Sequence, residues 1–306
     1  MVFFKKIVDF YIASSIHVAF ATYAFILLTF TSLNSSYDCD VAYFGFFGTI
    51  VAYNVIKYFS VYRLKKHQIS KKIQLIFLLS LIALATALYY YFQLEIDAQF
   101  VALLALFITL LYGFSFFGFL NSGRNWIGFK VFLVALSWTL VTFLLPVVAL
   151  KMTITEIVVL QAVQRFVLIY ALMCIFEIID LQFDTIALQT LPQRIGIANT
   201  KKLGYFLLLV FLGIDVVIQN EILLLNLFFV LVIAFFLYFS NEKRSKYYSS
   251  FWVESIPIFW WLVQKLLTFF SSFFPISKPM TRHLPVIIRF SNQESNLLFR
   301  YWHTLL

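Results

Sequence analysis

Charge is what this sequence has least of. Only 12% of its 306 residues are charged, and its 14 acids stand against 23 lysines and arginines. Soluble domains carry roughly a quarter of their residues as Asp, Glu, Lys or Arg, so a soluble globular fold is excluded. Cysteine is almost absent. Cys39 and Cys174 share no CxxC or Cys/His spacing, which leaves no disulfide framework and no zinc site. Ten-residue segments of alternating hydrophobicity are missing as well, and with them a β-barrel. There is no G-x-x-x-x-G-K-[ST], G-x-S-x-G or H-E-x-x-H, which disfavours nucleotide hydrolysis and zinc proteolysis.

What remains is 62% hydrophobic and is arranged in apolar runs of membrane-spanning length. The fold class expected is all-α, a polytopic membrane helical bundle of about nine transmembrane helices around a central cavity. The candidate spans are about 12–33, 41–62, 73–92, 99–119, 131–150, 155–179, 203–219, 222–240 and 251–274. Residues 1–274 make up this domain. Residues 275–306 form a basic tail, interrupted by Pro279 and Pro285, that is interfacial or disordered. Lys5 and Lys6 precede a long apolar run without a small-residue cleavage site, so the first span is expected to be retained.

The formal charge of +9 suits topology better than nucleic acid, because the basic residues sit in short loops. Loops after even-numbered spans carry Arg63, Lys65, Lys66, Lys71 and Lys72; Arg124 and Lys130; Arg194, Lys201 and Lys202; and Lys243, Arg244 and Lys246. The intervening loops carry Asp38, Asp40, Glu95, Asp97, Glu156 and Glu221, with Lys151 their one basic residue. The positive-inside rule puts the N-terminus and the even-numbered loops in the cytoplasm, and the protein in a bacterial inner membrane.

In so acid-poor a chain, Glu177, Asp180 and Asp184 at the end of span six stand out. At 100° per residue they fall within an arc of roughly 60°. Three acids on one face repel each other unless something cationic neutralises them. A solvated acid face is the bland alternative. Carboxylates at a membrane mouth commonly hold a hard divalent cation, and Mg²⁺ prefers one or two carboxylates plus phosphate oxygens. A greasy cavity joined to such a site suits a lipid diphosphate.

Elsewhere, Asn54 and Lys57 share a face of span two; either Lys57 snorkels to the interface or both point into the cavity. Arg165, midway along span six, needs a partner, and Asp215 in span seven lies at a compatible depth for an ion pair. Glu254 opens span nine and faces the same mouth, while His17 reads as a packing histidine. Arg124 and Lys130 are ordinary topology charges or contacts for an anionic head group.

Nine spans with an acid motif on span six resemble the UbiA-type intramembrane prenyltransferases. Asp180-Leu181-Gln182-Phe183-Asp184 is similar to the family's second D-x-x-x-D motif, and Thr190-Leu191-Pro192 with Arg194-Ile195-Gly196 to its K-T-L-P-x-R-x-G continuation, Gln189 replacing the lysine. The resemblance implies transfer of a prenyl group from a prenyl diphosphate to a lipophilic acceptor. It implies Glu177, Asp180 and Asp184 as catalytic residues and Asp180 and Asp184 as ligands of Mg²⁺. Lys57, Asn54, Arg124, Lys130 and Arg194 would then contact diphosphate. The family's first motif, N-D-x-x-D-x-x-x-D, is lost: Asn54 matches its asparagine, but Val55, Tyr58 and Tyr62 occupy the aspartate positions. Three outcomes follow. One Mg²⁺ stays bound, or Lys57 stands in as a fixed cation, or the chain is a non-catalytic protein that binds lipid or assembles with partners.

Overall fold

Because hydrocarbon offers no partner for a peptide group, apolar runs of this length satisfy their backbones internally, as helices. The computed structural model describes residues 2–64, 70–116, 128–183, 190–220 and 222–273. The helices are α1 (Val2–Ala13), α2 (Ile16–Ser32), α3 (Cys39–Leu64), α4 (Lys71–Gln93), α5 (Ile96–Phe116) and α6 (Phe129–Thr139). They continue with α7 (Leu145–Ala149), α8 (Glu156–Asp180), α9 (Leu191–Val217), α10 (Leu223–Phe239) and α11 (Ile256–Phe273). Two π-helical turns, Leu140–Leu144 and Tyr248–Val253, precede α7 and α11. No strand occurs among the described residues. Among the described residues five spans, Phe129–Ala149 being one of them, are long and apolar enough to cross a membrane, or six if the bent pair α1 and α2 counts as one. The protein is an integral membrane, all-α protein. Met1–Gln264 is one compact unit and Lys265–Leu306 a second, of which the end of α11 is described.

The first span is not the continuous helix expected from hydropathy. It breaks at Ser14–Ser15, where α1 and α2 meet at 62° and Ser15 adopts a left-handed backbone (φ 62°). A helix that ends inside a bundle leaves carbonyls without intrahelical donors. Here α3 supplies them. The Lys57 ammonium donates to Ile12 O (3.4 Å), the Tyr58 hydroxyl to Ala13 O (2.8 Å) and the Asn54 amide to Ser14 O (3.0 Å).

The fifth span bends for another reason. Pro146 has no N–H for the carbonyl four residues earlier, and the helix widens into the π turn Leu140–Leu144. The Thr142 carbonyl accepts instead from Thr29 Oγ1 at 2.6 Å. Arg165 closes the arrangement, donating to Phe25 O (3.1 Å) and Thr29 Oγ1 (3.2 Å) with its guanidinium over the Phe25 ring.

Arg165 therefore bonds to α2, not to Asp215. The expected ion pair gives way because a guanidinium is satisfied equally well by carbonyl and hydroxyl oxygens at hand. Asp215, fully buried, accepts from three carboxamides: Gln164 (2.7 Å), Asn220 (2.8 Å) and Asn226 (2.7 Å). That ring ties α8, α9 and α10 together at one end of the bundle, beside a core of Leu168, Ile175, Phe211, Phe229 and Trp260. At the turns, Lys151 and Glu95 form an ion pair at 2.9 Å, too exposed to add much stability.

The carboxamide ring yields a prediction. Asp215→Ala strands the amides of buried Gln164 and Asn226 and of half-buried Asn220, and is expected to cost about 2–4 kcal/mol. It should lower the thermal unfolding midpoint in detergent, while exposed Glu156→Ala leaves it in place. Equal midpoints for the two variants would contradict the ring's role.

Candidate functional site

The chemistry-bearing residues gather at one end of a cavity of about 1230 Å³. Its walls come from α2 through α6 and from α8. They are apolar over most of their extent, with Phe25, Phe44, Leu88, Leu106, Val141 and Leu172 among them. Charged side chains reach it at a single end: Asp9 from α1, Lys57 from α3, Asp180 from α8, and Lys246 and Glu254 from the segment before α11. The shape is that of a pocket for an amphiphile, hydrocarbon inside and head group at the rim.

Lys57 is held by a directed chain of hydrogen bonds. Ser80 Oγ donates to Ile76 O (2.7 Å) and accepts from the Asn54 amide (2.9 Å). Asn54 Oδ1 accepts from Ser15 Oγ (2.8 Å), and the Ser15 oxygen in turn accepts from Lys57 Nζ (3.2 Å). Asn54, 4% exposed, does not line the cavity. The expectation that it faces the cavity beside Lys57 is thus corrected: its carboxamide is spent on Ser14, Ser15 and Ser80. Of the positions where the resemblance expects acids, Val55 lines the cavity and Tyr58 caps α1; the Tyr62 side chain lies outside those described.

Glu254 is aimed by the second π turn. Pro257 cannot donate to the preceding turn, and Glu254 N–H bonds back five residues to Ser249 O (3.1 Å). His17 fastens this turn to α2. Its Nε2 lies 2.9 Å from Phe251 O and 3.2 Å from Ser255 Oγ, and its ring stacks on Phe251. A carbonyl only accepts, so Nε2 carries the proton and Nδ1 accepts from Tyr11 OH (3.0 Å). Glu254 lies within electrostatic reach of Lys57 and of Asp180, and Lys72 and Lys246 act on Lys57 as well. Glu254 is the carboxylate whose charge acts on Lys57. Tyr53, held by Trp138 Nε1 at 3.1 Å, completes this end.

The acid motif of span six divides. Helix α8 ends at Asp180, with Phe183 N–H closing a turn on Asp180 O (2.8 Å). Asp180 lines the cavity, and Asp184 lies outside the described residues. Glu177 does not line it; its Oε2 accepts from Leu191 N–H at 3.1 Å. Thr190 is the N-cap of α9, Pro192 occupies its first turn and Gln193 Oε1 accepts from Thr190 N–H (3.0 Å). Gly196 (φ 81°) kinks the helix in a conformation that a side chain resists. The Thr-Leu-Pro-x-Arg-x-Gly segment is therefore a helix start docked on Glu177. Lys130 in α6 and Arg194 in α9 do not line the cavity, and Arg124 lies outside the described residues.

Lys72 and Lys246 were visible in the sequence only as loop charges, and nothing in the sequence singled out Asp9. Their convergence needs the fold. The described residues contain no group of three or more His, Cys, Asp or Glu suited to a metal ion. With α3 offering Lys57 and no acid, they do not fit a two-cluster magnesium site, and no step below is routed through one.

The fold has solved counterparts. It matches the apo structure of a UbiA homolog from Aeropyrum pernix K1 with a TM-score of 0.58 and 14% identity, covering 82% of this chain and 98% of that one. It also matches a structure of digeranylgeranylglyceryl phosphate synthase in membranes, with a TM-score of 0.52 and 16% identity, covering 85% and 98%. No family model and no curated protein matches the sequence. The protein has the UbiA-type membrane fold.

Glu177 can be tested apart from the cavity. Removing a cap at a helix start costs about 0.5–2 kcal/mol. Glu177→Ala should lower the unfolding midpoint, whereas Glu177→Gln, which keeps an acceptor for Leu191 N–H, should stay near wild type. Identical midpoints for the two would show that the contact does not secure α9.

Proposed function

We propose that this protein is a member of the UbiA-type superfamily that takes up a prenyl diphosphate and transfers its prenyl group to a lipophilic acceptor. Nine spans, with the N-terminus and cavity mouth on the cytoplasmic side of a bacterial inner membrane, complete the proposal, on the alternation of basic and acidic loops. The observation that carries it is the division of one cavity into apolar walls and a charged end where Asp180 and Lys57 both stand. The shared fold and the Thr190–Gly196 segment support it.

The chemistry follows from that division. The allylic C–O bond breaks, and its electron pair leaves with the diphosphate. The acceptor's electron pair then forms the new bond to the allylic carbon, and the acceptor's proton is lost at the charged end. Lys57 compensates charge gathering on the departing diphosphate. The rings of Phe25, Tyr53 and Trp138, which line the cavity, offer π faces to an allylic cation, and the apolar walls keep water from it.

A second reading is favoured by one observation: Asn54, Lys57 and Tyr58 all bond to the end of α1 or to Ser14 just beyond it. On that reading the inherited cavity binds an amphiphile without transfer. One experiment separates the two. Purified protein given farnesyl or geranylgeranyl diphosphate and a lipid extract as acceptor source should release diphosphate. Asp180→Ala should slow release at least ~10²-fold, the scale for losing one charged group at a reacting centre. Release at the wild-type rate in that variant would overturn the role of Asp180. Retained binding with no release from the wild type would establish the second reading.

A further inference from the structure

We infer that the α3 end of the cavity binds the phosphate groups of an amphiphile without a divalent cation, with Lys57 as the contacting residue and Ser15 and Asn54 as its positioning residues. The inference rests on the prenyl diphosphate reading only for the choice of ligand. Its observations are the site's own.

The first is the direction of the hydrogen bonds. Asn54 gives both amide protons away, to Ser14 O and Ser80 Oγ, so its Oδ1 must accept, and the Ser15 proton is committed to it. The Ser15 lone pairs are thereby turned toward Lys57 Nζ. With Ile12 O taking a second N–H at 3.4 Å, two of the three ammonium protons are accounted for. Among the described residues the third has no hydrogen-bond acceptor, and the ammonium stands at the wall of the cavity.

The second observation is the field around it. Lys72 and Lys246 act on Lys57 from α4 and from the turn before α11, and Glu254 acts against them. Three ammonium groups from three elements thus offer an anion its partners, beside Asp9, Asp180 and Glu254 at the same end of the cavity. The third is the fate of the acid positions on α3. Val55 is apolar and Tyr58 donates to Ala13 O, so neither offers a metal a ligand. Glu254 then competes with the ligand for Lys57, which makes the sign of its mutation a test.

The test measures binding of radiolabelled farnesyl diphosphate to the purified full-length protein in detergent, in EDTA or in Mg²⁺, with displacement by inorganic diphosphate and by farnesol. Binding should persist in EDTA within about 3-fold of its strength in Mg²⁺. In EDTA, Lys57→Gln should weaken it ~10–100-fold and Ser15→Ala several-fold, while Lys57→Arg retains most of it. Glu254→Gln should tighten it. Farnesol lacks the anion, so its affinity should be the same in all variants, which also shows that they are folded. Displacement by inorganic diphosphate marks the phosphates as the recognised group; displacement by farnesol alone would overturn the inference. So would binding lost in EDTA and restored by Mg²⁺, although prenyl transfer would then stand. Binding unaffected by Lys57→Gln would also overturn it. Binding in EDTA without diphosphate release under any condition would leave this inference in place and end the transferase reading. No binding of either compound would end both.

Discussion

A backbone carbonyl buried in a membrane protein must find a donor, and that requirement organises this molecule. Helix α1 ends against the bundle at Ala13, and α3 answers with Asn54, Lys57 and Tyr58 at i, i+3 and i+4, one face of one helix. The spacing that lets three side chains meet three carbonyls also fixes where Lys57 stands. Thr29 settles the Thr142 carbonyl of the proline-bent fifth span by the same rule, and Arg165 donates in turn to Thr29 Oγ1. The π turn ahead of Pro257, secured by His17, does so for the segment that carries Glu254.

The site's electrostatics follow from this scaffold. Two opposite charges from α3 and the second π turn, Lys57 and Glu254, occupy the end of an otherwise apolar cavity, with Asp180 beyond them. In such surroundings an unpaired charge is costly, and each compensates the other until a ligand intervenes. A head group bound at Lys57 gains the ammonium without having to recruit one. That distinguishes this cavity from one built on acids, which must first take up a cation. The same fold can therefore present opposite charge to the same end of a ligand.

Most of the architecture was legible in the sequence, because hydropathy reports burial in lipid directly. Among the described residues each expected span overlaps helix, although only five or six are long and apolar enough to cross a membrane, and His17 is the satisfied packing residue its surroundings suggested. Three features were not legible. The elbow at Ser14–Ser15 interrupts a run that stays apolar on both sides, so hydropathy passes over it. Arg165 was matched to Asp215 since charges are visible in a sequence and carbonyl oxygens are not. Lys72 and Lys246 read as loop charges because nothing in their spacing shows that they approach Lys57. Glu177 illustrates a different limit. An acid at a helix end suits a metal site and a helix cap equally well, and only its 3.1 Å contact with Leu191 N–H shows the cap.

The central claim is that Lys57 is where the anionic head meets the protein. A structure of the full-length protein with a non-hydrolysable farnesyl thiodiphosphate analogue tests it directly. The account predicts a phosphate oxygen within hydrogen-bond distance of Lys57 Nζ and the chain running along Phe44 and Leu106. A head group bound beside Asp180 through a metal ion, with Lys57 still bonded to Ile12 and Ser15 and turned from it, would contradict the account.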